Sequence, residues 1–186
     1  GQGGLSVSYY LSQQGRDHVV LAGAALPADA WRNQRWDSVT LNTPNWTFRL
    51  PGAMYDGDDP DGFMARKEIV QYFEDYIARF RLPVRYNARV TSVEPRGDGY
   101  TVVTDDGALE AANVVVATGT FQRGKASALG EKLPPQIVQL DSGGYRTPDQ
   151  LPPGAVLVVG SGQSGCQIAE ELYESAMIDG ASGAAK

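Results

Sequence analysis

Apolar residues recur along this chain in two periods, and the change from one to the other marks its elements. Residues 4–14 read as a helix closed by Gly15, followed by a short strand over 18–21. Ile69, Phe73, Tyr76, Ile77 and Phe80 recur at helical spacing, which predicts an amphipathic helix over 66–80 stopped by Pro83. Residues 89–93 and 100–104 read as strands joined by the hairpin signal Gly97-Asp98-Gly99, and Asp105-Asp106-Gly107 supplies the next turn. Val114, Val115 and Val116 predict a buried strand ending in the small-residue turn Ala117-Thr118-Gly119. Residues 121–153 are loop-rich, with breaks at Pro134-Pro135 and Pro152-Pro153-Gly154. The run Ala155-Val156-Leu157-Val158-Val159 is wholly apolar, as expected of a strand covered on both faces. A helix then reaches about residue 176, and 177–186 form a small-residue tail without strand pattern.

The glycines give these elements a chemistry. The apolar run at 155–159 leads into Gly160-x-Gly162-x-x-Gly165 and then into a helix, the context that makes a glycine pattern a dinucleotide fingerprint. Gly160 permits the tight turn, Gly162 lets the backbone approach a pyrophosphate, and Gly165 lets helix pack on sheet, while Gln163 and Ser164 open the helix beneath the phosphates. Gly1-Gln2-Gly3-Gly4-Leu5 repeats the phrase Gly162-Gln163-Ser164-Gly165-Cys166 in register. Gly1 and Gly4 then stand as the second and third glycines of another fingerprint, whose first glycine and strand are outside the sequence. The expected fold class is α/β, with two dinucleotide-binding, Rossmann-like units, both incomplete. A first unit over 1–120, a crossing over 121–154 and the start of a second unit over 155–186 follow, and the chain is expected to be part of a longer protein or of a damaged one. Two dinucleotide sites imply two nucleotide cofactors, most commonly a flavin and a nicotinamide.

Composition narrows the chemistry. The 186 residues are 42% hydrophobic and 20% charged, ordinary for a soluble globular protein. A net charge of −6 without a basic face argues against a nucleic-acid partner. The longest apolar runs, such as Val114 to Ala117, are too short to span a bilayer, and no secretory signal is visible, so a cytoplasmic location is the default. Cys166 is the sole cysteine, which excludes an intrachain disulfide, a CxxC pair and a four-cysteine zinc site, and it is expected to pack, buried, between helix and sheet. With His18 as the sole histidine, placed at a strand edge, no metal site is expected. The acidic stretch Asp56-Gly57-Asp58-Asp59-Pro60-Asp61-Gly62 lacks the spacing of a calcium loop and reads as solvated. Residues 31–50 hold all three tryptophans together with Arg32, Arg35 and Asn42, which suits either a flavin wall and substrate pocket or the plug of a small core.

The order of the first fingerprint, Val116-Ala117-Thr118-Gly119, Gln139-Leu140-Asp141-Ser142-Gly143-Gly144-Tyr145-Arg146 and the second fingerprint resembles that of the flavin-containing (class B) monooxygenases over nearly the whole chain, bacterial and plant auxin-type members above all. The resemblance implies an FAD domain interrupted by an NADPH domain. It implies an enzyme that inserts one oxygen atom of O2 into a small-molecule substrate through a flavin peroxide, with NADPH as reductant. By position it implies that Gly1, Gln2 and Gly4 hold the FAD pyrophosphate, that Val90 meets the adenine through its backbone, and that Trp31 and Arg32 lie near the flavin. Asn42 falls where an amide acts beside flavin and NADP⁺, the catalytic position. Ala117, Thr118 and Gly119 link the two cofactor domains, and Gly160, Gly162, Gln163, Ser164 and Gly165 hold the NADP pyrophosphate. Two positions depart from the pattern: Ala22 replaces the acid that ends the second strand, and Asp141 stands where a histidine is usual. A flavin reductase or NADPH oxidase that releases peroxide, and a cofactor-poor binding or scaffold homologue, remain alternatives. Self-association into a homo-oligomer is left open.

Overall fold

The computed structural model describes residues 1–119 and 130–183, so the first part of the loop-rich stretch, residues 121–129, lies outside the described residues. The first helix, α1, spans Gln2–Gln13. It closes as expected at Gly15, which adopts φ +62° while the Gly15 amide donates to Ser12 O and the Arg16 amide to Leu11 O, the paired bonds of a Schellman end. The strand after it is short, β1 (Val20–Leu21), and pairs in parallel with β2 (Val84–Arg85). His18 lies just ahead of β1, its Nδ1 on Arg16 O at 2.8 Å and its Nε2 on the buried Ser8 Oγ at 2.8 Å, which ties the strand's entry to α1. A five-residue helix, α2 (Asp29–Asn33), follows.

The predicted amphipathic helix is α3, Arg66–Phe80. Glu68 begins it by accepting the Ala65 amide at 2.7 Å. It ends before Pro83 is reached, because Arg81 turns to φ +50° and donates its amide to Ala78 O, while Leu82 N reaches Ile77 O. Its apolar face, Ile69, Phe73 and Tyr76, builds the main core with Leu5 of α1 and with Leu41, Phe48, Leu50, Met64 and Leu82. Ile69 is wholly buried. Tyrosines from this face tie down the turn 50–53: the Tyr72 hydroxyl accepts the Leu50 amide at 3.0 Å and donates to Ala53 O, and the Tyr76 hydroxyl donates to Pro51 O at 2.8 Å. Burial, then the neighbouring phenols of Tyr72, Tyr9 and Tyr10, push the Tyr76 hydroxyl up to about 12.

The hairpin signals give a three-stranded antiparallel sheet, β3 (Val90–Arg96), β4 (Gly99–Thr104) and β5 (Gly107–Ala111). Arg96 pairs with Gly99 and Thr104 with Gly107, so both connections are two-residue turns. Strand β5 has no counterpart among the predicted elements, since its alternation is weak. A bulge between Val90 and Ser92 bends the start of β3.

Two predicted strands are corrected. Val114 to Val116 and Val156 to Val159 take part in no strand ladder, and Val116 and Leu157 are 77% and 85% exposed. The expectation of burial on both faces presupposes neighbouring strands, and the described residues supply none beside either run. Cys166 is likewise exposed and not buried. The last helix, α4 (Gln163–Gly183), turns Ile168 inward, and a residue two positions earlier stands about 200° around the axis on the opposite side. Helix α4 also runs past residue 176, where the tail was expected to begin. The described part of the crossing, 130–154, holds only two short 3-10 turns.

Gly52, at φ +75°, sits under Tyr9: a Cβ there would lie 2.6 Å from the ring. Gly52→Ala is expected to lower stability by about 1–3 kcal/mol through backbone strain and this clash. Chemical denaturation checks it, and an unchanged midpoint would contradict the packing described.

Candidate functional site

The turn at 160–165 gives each glycine its own task. Gly160 has φ +117°, which a side chain would resist. A Cβ at Gly165 would run into the carbonyl oxygen of Gly160 and lie 3.7 Å from Val158 Cγ1, so only glycine lets α4 start this close to the chain that feeds it. A Cβ at Gly162 would meet nothing within 4 Å. Gly162 is thus free of local constraint and faces open space, the cradle a pyrophosphate needs. The Cys166 amide donates to Gly162 O at 3.1 Å, which makes Gly162 the residue that caps the helix. The amides of Gln163, Ser164 and Gly165 are then the unpaired donors of the first turn, at the positive end of a helix whose first turn carries no acidic residue.

The start of α1 repeats the arrangement at the same offset. The Leu5 amide donates to Gly1 O at 3.1 Å, Gly1 caps the helix without a side-chain bond, and Gln2, Gly3 and Gly4 supply the first-turn amides. A Cβ at Gly1 would again meet nothing within 4 Å. The third glycines differ. At Gly4 a Cβ would touch Ala117 Cβ at 3.7 Å and Val20 Cγ1 at 3.8 Å, ordinary contact distances, because the carbonyl that crowds Gly165 has no counterpart here. Those contacts bring Ala117, and with it the turn through Thr118 to Gly119 (φ +77°), beside the start of α1.

At the end of β1 the backbone of Ala22 is paired, its amide on Arg85 O and its carbonyl accepting from Ala88 N, both at 2.9 Å. Gly23 lies against Arg89, the residue before Val90, so Val90 is placed next to this strand end. No carboxylate projects from Ala22.

Residues 31–50 form a wall that packs on both helices, Leu41, Phe48 and Leu50 with Leu5 of α1, and Trp36 and Val39 with Ile168 of α4. Trp31 is half-buried, with the Arg35 guanidinium 5.6 Å from its ring centre. The Arg32 guanidinium is engaged with Glu74 and with Pro27 O. Asn42 is exposed, and its side chain makes no hydrogen bond among the described residues. The neighbouring amide that structures the loop is Asn45, which sequence reasoning passed over: buried, it donates to Asp59 O at 2.8 Å and accepts from Met64 N at 2.5 Å. The acidic stretch it anchors is exposed, and among the described residues no cluster of three or more potential metal ligands occurs.

Sequence reasoning also passed over the contact that joins this wall to the second turn. Trp36, Val39, Tyr145 and Ile168 form a second buried cluster, with Leu172 against it. The Trp36 indole N–H is buried without an acceptor among the described residues. The Tyr145 hydroxyl donates to Glu171 Oε2 at 2.7 Å. Burial, then the Glu171 bond and its charge, hold the Tyr145 hydroxyl well above the ordinary tyrosine value. Asp141 shapes the loop: its Oδ1 accepts the Gly144 amide at 2.7 Å and its carbonyl accepts from Tyr145 N at 3.1 Å. Signals for this contact exist in the spacing of Ile168, Glu171 and Leu172 on one face of α4.

Two glycine turns that each open a helix with the same hydrogen bond are the pattern expected of a dinucleotide-binding chain. Residues 1–179 match the pyridine nucleotide-disulphide oxidoreductase family, and the chain belongs to it. A Geobacillus kaustophilus protein named uncharacterized oxidoreductase CzcO-like is 41% identical over 173 residues, covering 93% of this chain and 49% of the relative. An indole-3-pyruvate monooxygenase of Oryza sativa subsp. japonica is 27% identical over 92% of this chain and 43% of its own length. A flavin-containing monooxygenase from Stenotrophomonas maltophilia superposes with a TM-score of 0.78 and 32% identity over 91% of this chain and 51% of the other. The chain therefore spans about half the length of the relatives it matches. Among the described residues no helix is long and apolar enough to cross a membrane.

The two inner glycines of the second turn differ in what a side chain would meet, open space at Gly162 and a carbonyl oxygen at Gly165. Gly162→Val is expected to abolish NADPH binding with little change in thermal midpoint, whereas Gly165→Val should lower the midpoint as well. Nucleotide titration beside thermal unfolding checks this, and equal NADPH affinity for Gly162→Val and parent would show that the turn is only structural.

Proposed function

We propose that this chain carries the paired nucleotide sites of an FAD- and NADPH-dependent monooxygenase that inserts one oxygen atom from O2 into a small-molecule substrate. The observation that supports it most is the open, capped turn at Gly162, repeated at Gly1 with the same helix-start hydrogen bond. In this reading the FAD pyrophosphate sits on the amides of Gln2 and Gly4 with Gly1 clear of it, and the NADPH pyrophosphate on those of Gln163, Ser164 and Gly165 with Gly160 and Gly162 clear. Held on these amides, NADPH would supply the reducing electrons and FAD would be the carrier that delivers them to O2. The chain's own residues bind, orient and exclude water. Trp31 offers an apolar face toward the flavin, and Arg32, its charge engaged with Glu74, keeps that wall in place. Asn42 presents an amide that makes no hydrogen bond among the described residues, able to donate and accept at the reacting region. Val90 serves the adenine end through its backbone, and Ala117, Thr118 and Gly119 pass between the two units.

A flavin reductase or NADPH oxidase that releases peroxide is the second reading, and Asp141 favours it. Its carboxylate is turned into its own loop, and a carboxylate does not donate a proton at neutral pH as an imidazolium does.

Ala22 sets the test for the flavin. A carboxylate at a ribose supplies charge-assisted hydrogen bonds worth about 1.5–3 kcal/mol each, so its loss weakens FAD by roughly ten- to a hundredfold. FAD is expected to bind weakly, and Ala22→Glu to lower its dissociation constant by that factor without moving the flavin absorption maxima. NADPH oxidation under ¹⁸O2 should place one labelled oxygen in product. Label appearing only in hydrogen peroxide supports the oxidase reading, and a parent that binds neither nucleotide overturns both.

A further inference from the structure

One residue bridges the two nucleotide units and touches neither cradle. Next to Tyr145 the crossing is docked on the first unit: the Asp37 amide donates to Arg146 O at 2.9 Å, and the Arg146 guanidinium donates to Asn33 O. The Tyr145 side chain itself passes into the second unit. It is only 4% exposed, lies among Trp36, Val39 and Ile168, and ends on Glu171 of α4. The other polar tie between the same pieces, Gln167 Nε2 to Thr40 O, is long at 3.5 Å. Glu171 is six residues past Gly165, about 9 Å along a rigid helix, so any shift at Glu171 is carried to the turn at 160–165.

We propose that the hydrogen bond from Tyr145 to Glu171 fixes α4 against the segment 31–42 and thereby sets the distance between the nicotinamide and flavin sites. Tyr145 and Glu171 are a positioning pair for hydride transfer. The inference rests on the monooxygenase reading for the reaction it serves, while the docking contact itself stands on the geometry. The Tyr145 ring is buried, and its hydroxyl keeps the bond to Glu171 only when α4 is seated. Removing it leaves the apolar cluster intact but unpins the helix. Binding of NADPH, which needs only the turn, is then kept, and the approach of the two rings is lost.

The test follows flavin reduction in the FAD-loaded protein by stopped flow. Tyr145→Phe is expected to slow reduction at saturating NADPH by about 10- to 100-fold, the cost of misplacing reacting groups by roughly an ångström, with the NADPH dissociation constant within about twofold of parent. Glu171→Ala should behave alike, Glu171→Gln, whose amide oxygen still accepts, should retain the rate, and Tyr145→Phe/Glu171→Ala should be no slower than either single change. Hydrogen exchange supplies a second measurement: in Tyr145→Phe the amides of 36–41 and of the start of α4 should exchange faster together. A Tyr145→Phe protein that reduces flavin at the parent rate, single effects that multiply in the double variant, or unchanged exchange would each overturn the pair. A parent that binds NADPH but never reduces FAD overturns the monooxygenase reading and the role in transfer, and exchange then decides the docking contact alone.

Discussion

A helix offers its first amides to a phosphate only if nothing stands between the strand that feeds it and its own first turn. Here that condition comes down to one approach, Gly165 against the carbonyl of Gly160. Any side chain at 165 would push α4 away from the incoming chain, and the open space before Gly162 would no longer be backed by unpaired donors. The rest of the second unit serves this approach: Val158 lies beneath Gly165, and Ile168 and Leu172 anchor the helix one and two turns further on.

What gives the two units a common frame is the wall of residues 31–50, held on its far side by α3. Its turns are pinned by side chains with no part in nucleotide binding. Asn45 closes the loop through both ends of its amide, and Tyr72 and Tyr76 hold the backbone of 50–53. Arg66, at the start of α3, pairs with Asp37 at 3.0 Å and donates to Arg32 O. The placement of residues 31–50 is thus tied to α3 rather than to the glycine turns.

Elements whose partners lie close in sequence were legible, and those whose partners lie far away, or are not among the described residues, were not. The helix α3 matched its apolar spacing at both ends, since its buried face is set by period alone, and the hairpin glycines located β3 and β4. Val114 to Val116 and Val156 to Val159 misled because composition reports what a run is suited to, whereas burial requires neighbouring strands. Cys166 misled because adjacency to a glycine says nothing about which way a helix faces until Ile168 fixes it. At the site, Gly160 and Gly165 carried a sequence signal with a backbone reason, a positive φ at one and a close carbonyl at the other. For Tyr145 and Glu171 the sole signal was the spacing of Ile168, Glu171 and Leu172 on one face of α4, because a hydrogen bond across 26 positions does not reveal its partner locally.

The contrast between the two sheets has a kinetic consequence. Strands β3, β4 and β5 follow one another with two-residue turns, so their ladder needs only local closure and can zip within microseconds. The parallel pair β1 and β2 must wait until α2, the wall and α3 have been gathered between them, an entropic delay of the kind that slows non-local pairing. The hairpin sheet is therefore the early island of order, and the segment around Val90 takes shape before residues 31–50 are gathered against α3.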